Sequence, residues 1–138
     1  MNLGLVARDD ATAEFLDGAA RGEFLIQRCA ACGRHSGPQA GQCHACGATA
    51  LSWVPASGAA TIVSWTVAHG RPAADGSVAT TVLAIAELAE GPWWWSQIAD
   101  VADPGQLSAG QPLRISFERP DGSEPIPVFR LACERLTR

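Results

Sequence analysis

Apolar residues recur along this chain first at helical and then at strand spacing. Phe15, Leu16, Ala19 and Ala20 form a thin helical stripe within residues 10–21. Asp10 stands where a cap is wanted, Glu14 in the first turn, Arg21 at the end, and Gly22 where a left-handed stop would fall. A helix this short is marginal alone, so it must dock on its own domain or on another protein. Strands are predicted at 24–28 and 51–54. Beyond Pro55 and Gly58 come five extended segments separated by Gly, Pro and Asp, at 59–69, 78–89, 93–99, 112–119 and 126–132. Val63, Trp65 and Val67 share one face; Leu113, Ile115 and Phe117 share another, with Arg114, Ser116 and Glu118 opposite. Each such strand therefore has one dry side.

Five strands suit a small closed barrel, and a single helical turn at 103–107, between the third and fourth, is the connection typical of an OB-fold. The predicted class is mainly β: an N-terminal segment and helix at 1–22, a small metal-stapled ribbon at 23–56, and a five-stranded OB-fold barrel at 57–138. Trp93, Trp94 and Trp95 cannot all point into one core, because side chains alternate along a strand. Ile98 shares a side with Trp94, so Trp94 is placed inward. Trp93 and Trp95 then lie outward, where amphipathic rings favour a ligand or partner surface unless the ribbon or helix covers them.

Cys29 and Cys32, followed by Gly33, and Cys43 and Cys46, followed by Gly47, form two knuckles ten residues apart. Each CxxC turn can aim two thiolates at one ion, and two turns close a tetrahedral shell of four. With four protein ligands no position is left for water or substrate, so the expected zinc is structural; in small peptides such a site is worth roughly 10–16 kcal/mol of folding free energy. The same sulfurs would accept iron, and a CxxC at a helix start would instead read as a redox disulfide. His35 and His44 lie close enough in sequence to replace a cysteine, though exposed loop histidines are the simpler reading.

Ten basic residues, all arginine, face fourteen acidic ones, and four thiolates around a dication add two negative charges, taking the formal net from −4 to −6. No basic cluster is present to neutralise phosphates, which argues against a nucleic-acid partner even though OB barrels often stack bases on aromatics. The start of the chain lacks the features of a signal peptide and no apolar run is long enough to span a membrane, so a cytoplasmic protein without membrane contact is expected; a reducing compartment also suits metal-binding thiolates. Three histidines, no tyrosine and no nucleophile elbow or phosphate loop leave few parts for catalysis. Cys133 reads as an inert cysteine, and His69 with Arg71 as a strand end and turn where Arg71 could meet an anionic ligand.

The ordered set Phe15-Leu16-Asp17-Gly18, Arg21-Gly22-Glu23, Gln27-Arg28-Cys29, Cys32-Gly33, Cys43 to Cys46-Gly47, Trp53-Val54-Pro55, Ser57-Gly58, Ser64-Trp65-Thr66, Gly91-Pro92 and Pro127-Val128-Phe129-Arg130 resembles a family of small zinc-ribbon and OB-fold proteins that accompany enzymes of acyl-CoA metabolism. The resemblance runs from about residue 14 to 131. It implies a rubredoxin-like ribbon with structural zinc on Cys29, Cys32, Cys43 and Cys46. It also implies an accessory role beside a thiolase-like, aldolase or hydratase subunit that holds the catalytic groups, with acyl-CoA at the shared interface. Arg71, Trp93 and Trp95 are the residues offered to CoA or to the partner, on physical grounds rather than by a family motif. Other members often carry basic and aromatic residues between the knuckles; Ser36, Gly37, Pro38, Gln39 and Ala40 here weaken direct ligand contact by that loop. The rival readings are a nucleic-acid module and a stand-alone CoA-thioester protein using His69 or Cys133.

Overall fold

The computed structural model describes residues 4–132. Helix α1 is Ala13–Ala20, shorter at its start than the predicted 10–21. Asp9, not Asp10, organises the entry: its carboxylate accepts from the Thr12 amide and hydroxyl, both at 2.9 Å, while its own amide donates to Thr12 Oγ1 at 2.9 Å. Those bonds fold 9–12 into a turn and leave Thr12 at the cap. The predicted stop is real. Gly22 takes φ +82°, and the amides of Arg21, Gly22 and Glu23 bond to the last carbonyls of the helix.

The ribbon is an antiparallel sheet of β1 (Leu25–Cys29), β2 (His35–Ser36) and β3 (Leu51–Pro55), with β1 central. Strand β2 had no sequence signal, being only two residues within the loop between the knuckles. Helix α1 lies against β1 so closely that a Cβ at Gly18 would sit 2.5 Å from the Leu25 side chain. Phe24 and Ile26 are buried in the barrel core, so ribbon and barrel share one apolar cluster.

The second sheet holds β4 (Ala59–Pro72), β5 (Val78–Leu88), β6 (Trp93–Gln97), β7 (Pro112–Glu118) and β8 (Ile126–Leu131) in the order β6-β5-β4-β7-β8. A parallel bridge between Ile98 and Phe129 brings its two edges together into a nearly closed barrel. A short 3-10 turn, Pro104–Gln106, lies between β6 and β7, capped by Asp103, whose carboxylate accepts from the Gly105 amide at 3.0 Å. One expectation shifts: a register break between Ile62 and Ser64 inserts a bulge. Ala60 and Ile62 are buried before it, Val67 packs on the core after it, and Trp65 remains 36% exposed rather than lying on a continuous dry face.

Two charged clasps hold the ends of the barrel. Arg130 on β8 bonds Ser116 on β7 at 2.9 Å and pairs with Glu118 and with Asp100 just beyond β6. Near the other terminus, Val6 exchanges hydrogen bonds with Ser123 and Glu124, and Arg8 forks onto Glu124 while also reaching Asp17 on α1. The Arg8 guanidinium, through its hydrogen bond, holds the Glu124 carboxyl below its ordinary value of 4.5. A carboxylate depressed on folding contributes stability that is complete above its unfolded pKa and is lost as pH falls through the folded one. The Val6 amide should therefore exchange with solvent faster as pH drops below about 4.5, after correction for intrinsic exchange, while barrel amides stay protected. Arg8→Ala should abolish that pH dependence, which amide-resolved hydrogen exchange would measure.

Candidate functional site

The two knuckles are built alike. The Cys29 amide donates to the Arg34 carbonyl and the Gly33 amide to Cys29, while the Cys43 amide donates to Ala48 and the Gly47 amide to Cys43. Gly33 at φ +81° and Gly47 at φ +80° supply the left-handed residue each turn needs. Cys29 and Cys43 are buried and Cys32 and Cys46 exposed, so one thiol of each knuckle sits beneath the ion position and one above.

All four sulfurs lie within 4.8 Å of one another, with Cys29 to Cys46 and Cys32 to Cys43 both at 3.6 Å. A tetrahedral zinc with bonds near 2.3 Å needs sulfurs about 3.8 Å apart, so the set fits the ion. The four cysteines are free thiols, and the first CxxC leaves a strand rather than opening a helix, which speaks against the redox reading. His44 Nε2 donates to the His35 carbonyl at 2.9 Å, and neither histidine belongs to the sulfur group.

The local field prepares the ligands. The Cys46 amide, then that of Ala45, stabilise the Cys43 thiolate and bring its pKa down from 9.0 to about 6. Amides of Cys32 and Ala31 lower Cys29 similarly, the Cys32 amide most. The Ala48 amide pulls Cys46 down, but the neighbouring sulfurs, Cys29 first, and partial desolvation push it up to about 11. Sulfurs packed this closely repel one another as thiolates until a dication compensates them. Zinc bound there supplies charge compensation and cross-linking and, with its four positions filled by protein, offers no Lewis acid to a substrate.

The other predicted site residues fall in separate places. Arg71 and His69 lie on the exposed end of β4, with Arg71 in a second register irregularity between His69 and Pro72. Trp93 lines a cleft of about 710 Å³ between the ribbon and the turn before β6, together with Arg34, His35, His44 and Glu90. Trp95, 68% exposed, lies on the outer barrel surface beside Trp65, Leu83 and Ile85. Trp94 is turned inward as expected, its ring 6.0 Å from Phe15 and 5.1 Å from Phe24. Arg71 is seven positions along β4 from Ser64, roughly 20 Å of extended strand, so the structure does not bring it to the tryptophans. Cys133 lies outside the described residues. Trp65 and Leu83, 36% and 40% exposed, are patch members that the sequence reading missed. Leu83 sits in an apolar run with no alternation to mark it as outward.

Comparison with known proteins agrees with this geometry. Residues 16–52 match the family model described as "ChsH2, rubredoxin-like zinc ribbon domain", and residues 53–118 the one described as "ChsH2, C-terminal OB-fold domain". A solved structure titled "Ltp2-ChsH2(DUF35) aldolase" superposes with a TM-score of 0.76 at 30% identity, covering 92% of this chain and 98% of that one. A DUF35 protein of unknown function from Sulfolobus solfataricus, 15% identical with a TM-score of 0.63, shares the fold over 89% of this chain and 86% of its own. A curated relative from Thermomonospora curvata, "Probable enoyl-CoA hydratase alpha subunit", is 31% identical over 127 residues, 92% of this chain. The chain spans only 39% of that relative's length. Matched along both the ribbon and the barrel, the chain belongs to the ChsH2 (DUF35) family of rubredoxin-like zinc-ribbon and OB-fold proteins.

Proposed function

We propose that this chain is a non-catalytic accessory subunit that docks on a thiolase-like, aldolase or hydratase enzyme and helps form or cover its acyl-CoA site. The observation that carries the reading is the outer patch of Trp65, Leu83, Ile85 and Trp95, an aromatic surface left open by a barrel whose core is already filled. Its neighbours Ser64, Thr66 and Ala84 bring no basic side chain, which favours a protein partner over a nucleic-acid strand. The two relatives, an aldolase containing ChsH2 and a probable hydratase subunit, support the class of partner. In this arrangement the reactive groups belong to the larger subunit. Trp93 at the ribbon cleft and Arg71 at the end of β4 are the positions this chain offers to CoA.

Co-expression with thiolase-like, aldolase and hydratase proteins of the same genome should yield a stable complex with one of them on size-exclusion chromatography. Trp95→Asp should weaken that complex by about 30-fold or more, the usual effect of losing an interfacial tryptophan, with zinc content unchanged. An intact complex in the variant, or acyl-CoA turnover by the isolated chain, would overturn the reading.

A further inference from the structure

A second cavity, of about 480 Å³, lies where the N-terminal segment, α1, the ribbon and the barrel meet, well inside the roughly 300–1,000 Å³ range of small-molecule sites. Phe15 and Leu16 of α1, Trp53 of β3, Trp94 of β6 and Ile126 of β8 supply the large side chains of its apolar wall. Val6 and Thr12 border it from the segment that Arg8 clasps to Glu124.

Two buried polar groups in that wall lack a partner among the described residues, the sealed Trp94 Nε1 and the Gln27 carboxamide, and the second is open to the cavity. Gln27, at the centre of the middle ribbon strand, is only 8% exposed, and no side-chain hydrogen bond joins its carboxamide to a described residue. The sealed, partnerless side-chain polar atoms among the described residues are Glu90 Oε1 and Trp94 Nε1. The Gln27 amide is not one of them, so its free donors and acceptor face the cavity that the residue lines. Water in the cavity satisfies that amide, and a ligand that displaces the water must offer a hydrogen bond in its place or leave the amide unpaired at a cost. No residue lining the cavity is ionisable, so a charged ligand group would find no counter-charge there.

We propose that this cavity binds a neutral aliphatic ligand, its hydrocarbon body against Phe15, Leu16, Trp53, Trp94 and Ile126 and a carbonyl or amide group hydrogen-bonded to the Gln27 carboxamide. This binding is a property of the chain alone and does not depend on the docking reading above. Because the walls come from every module, ligand and fold are linked: occupancy stabilises the junction of helix, ribbon and barrel.

The test is a titration of the intact zinc-loaded chain with N-decylacetamide, and in parallel with decanoate at pH 8, followed by calorimetry and by the fluorescence of the tryptophans. N-decylacetamide is expected to bind saturably and decanoate at least tenfold more weakly. Gln27→Leu, which keeps the volume and removes the amide, should weaken N-decylacetamide by about tenfold. Ala40→Trp, which fills the cavity from the half-buried ribbon loop, should abolish binding. Zinc content and circular dichroism confirm that both variants are folded. Non-saturable uptake, undiminished binding in Ala40→Trp, equal affinity in Gln27→Leu, or decanoate binding as tightly as the amide would each overturn the proposal.

Discussion

Cys43→Ser is expected to empty the metal centre and unfold the ribbon while the barrel persists as a weakened, separate unit. Cys43 is buried, and its thiolate is the one the backbone favours most. A serine hydroxyl is a poor zinc ligand at neutral pH, and loss of one thiolate from a closed set removes a large share of the binding free energy that is also folding free energy. Cys29→Ser should behave in the same way. The barrel does not escape unharmed, because Phe24 and Ile26 leave its core when the ribbon opens. Elemental analysis should show zinc falling from stoichiometric to trace. Thermal melting should split from one transition into a broad ribbon loss and a barrel transition of lowered midpoint. Full zinc retention in either variant would contradict the assignment of these ligands. Acidification should release zinc from the wild-type chain as well, since protons compete with the metal for the thiolates.

The second large effect is expected at Phe129, which is fully buried on β8 where the barrel closes. Its carbonyl accepts from the Ala99 amide at 2.8 Å, it bridges Ile98, and it pairs with Ile115 on β7. Phe129→Ala should cost about 3–5 kcal/mol, because the cavity lies at the seam between the two sheet edges and neither edge can collapse without breaking the bridge. Urea denaturation of the zinc-loaded chain measures the loss. Zinc binding should survive below the transition, which separates this variant from the cysteine substitutions. A cost under about 1 kcal/mol would mean the seam repacks and the barrel closes by other contacts.

The two variants also mark how far the chain was legible. The metal centre could be read completely, because ligand type, the CxxC turn and the trailing glycine are all local properties, and a thiolate quartet has few other uses at this spacing. The five barrel strands were placed within a few residues, since Gly, Pro and Asp punctuate them and alternation marks their dry sides. The start of α1 was misplaced by three residues because Asp9 and Asp10 are equivalent as letters, and only the folded turn selects the one whose carboxylate reaches Thr12. The bulge at Val63 was likewise invisible, being a mismatch between two strands rather than a feature of either.

Sequence by itself determined the zinc ribbon, the mainly β class, the barrel strands and the inward turn of Trp94, all of which follow from periodicity and ligand chemistry within short stretches. Only the tertiary structure decided which exposed residues keep company. It set Trp95 beside Trp65 and Leu83 from three different strands, left Arg71 apart from them, and closed the Gln27 cavity with walls from four segments. The physical reason is that a strand's pattern specifies which face is buried, while register, bulges and the docking of one module on another specify what each face meets.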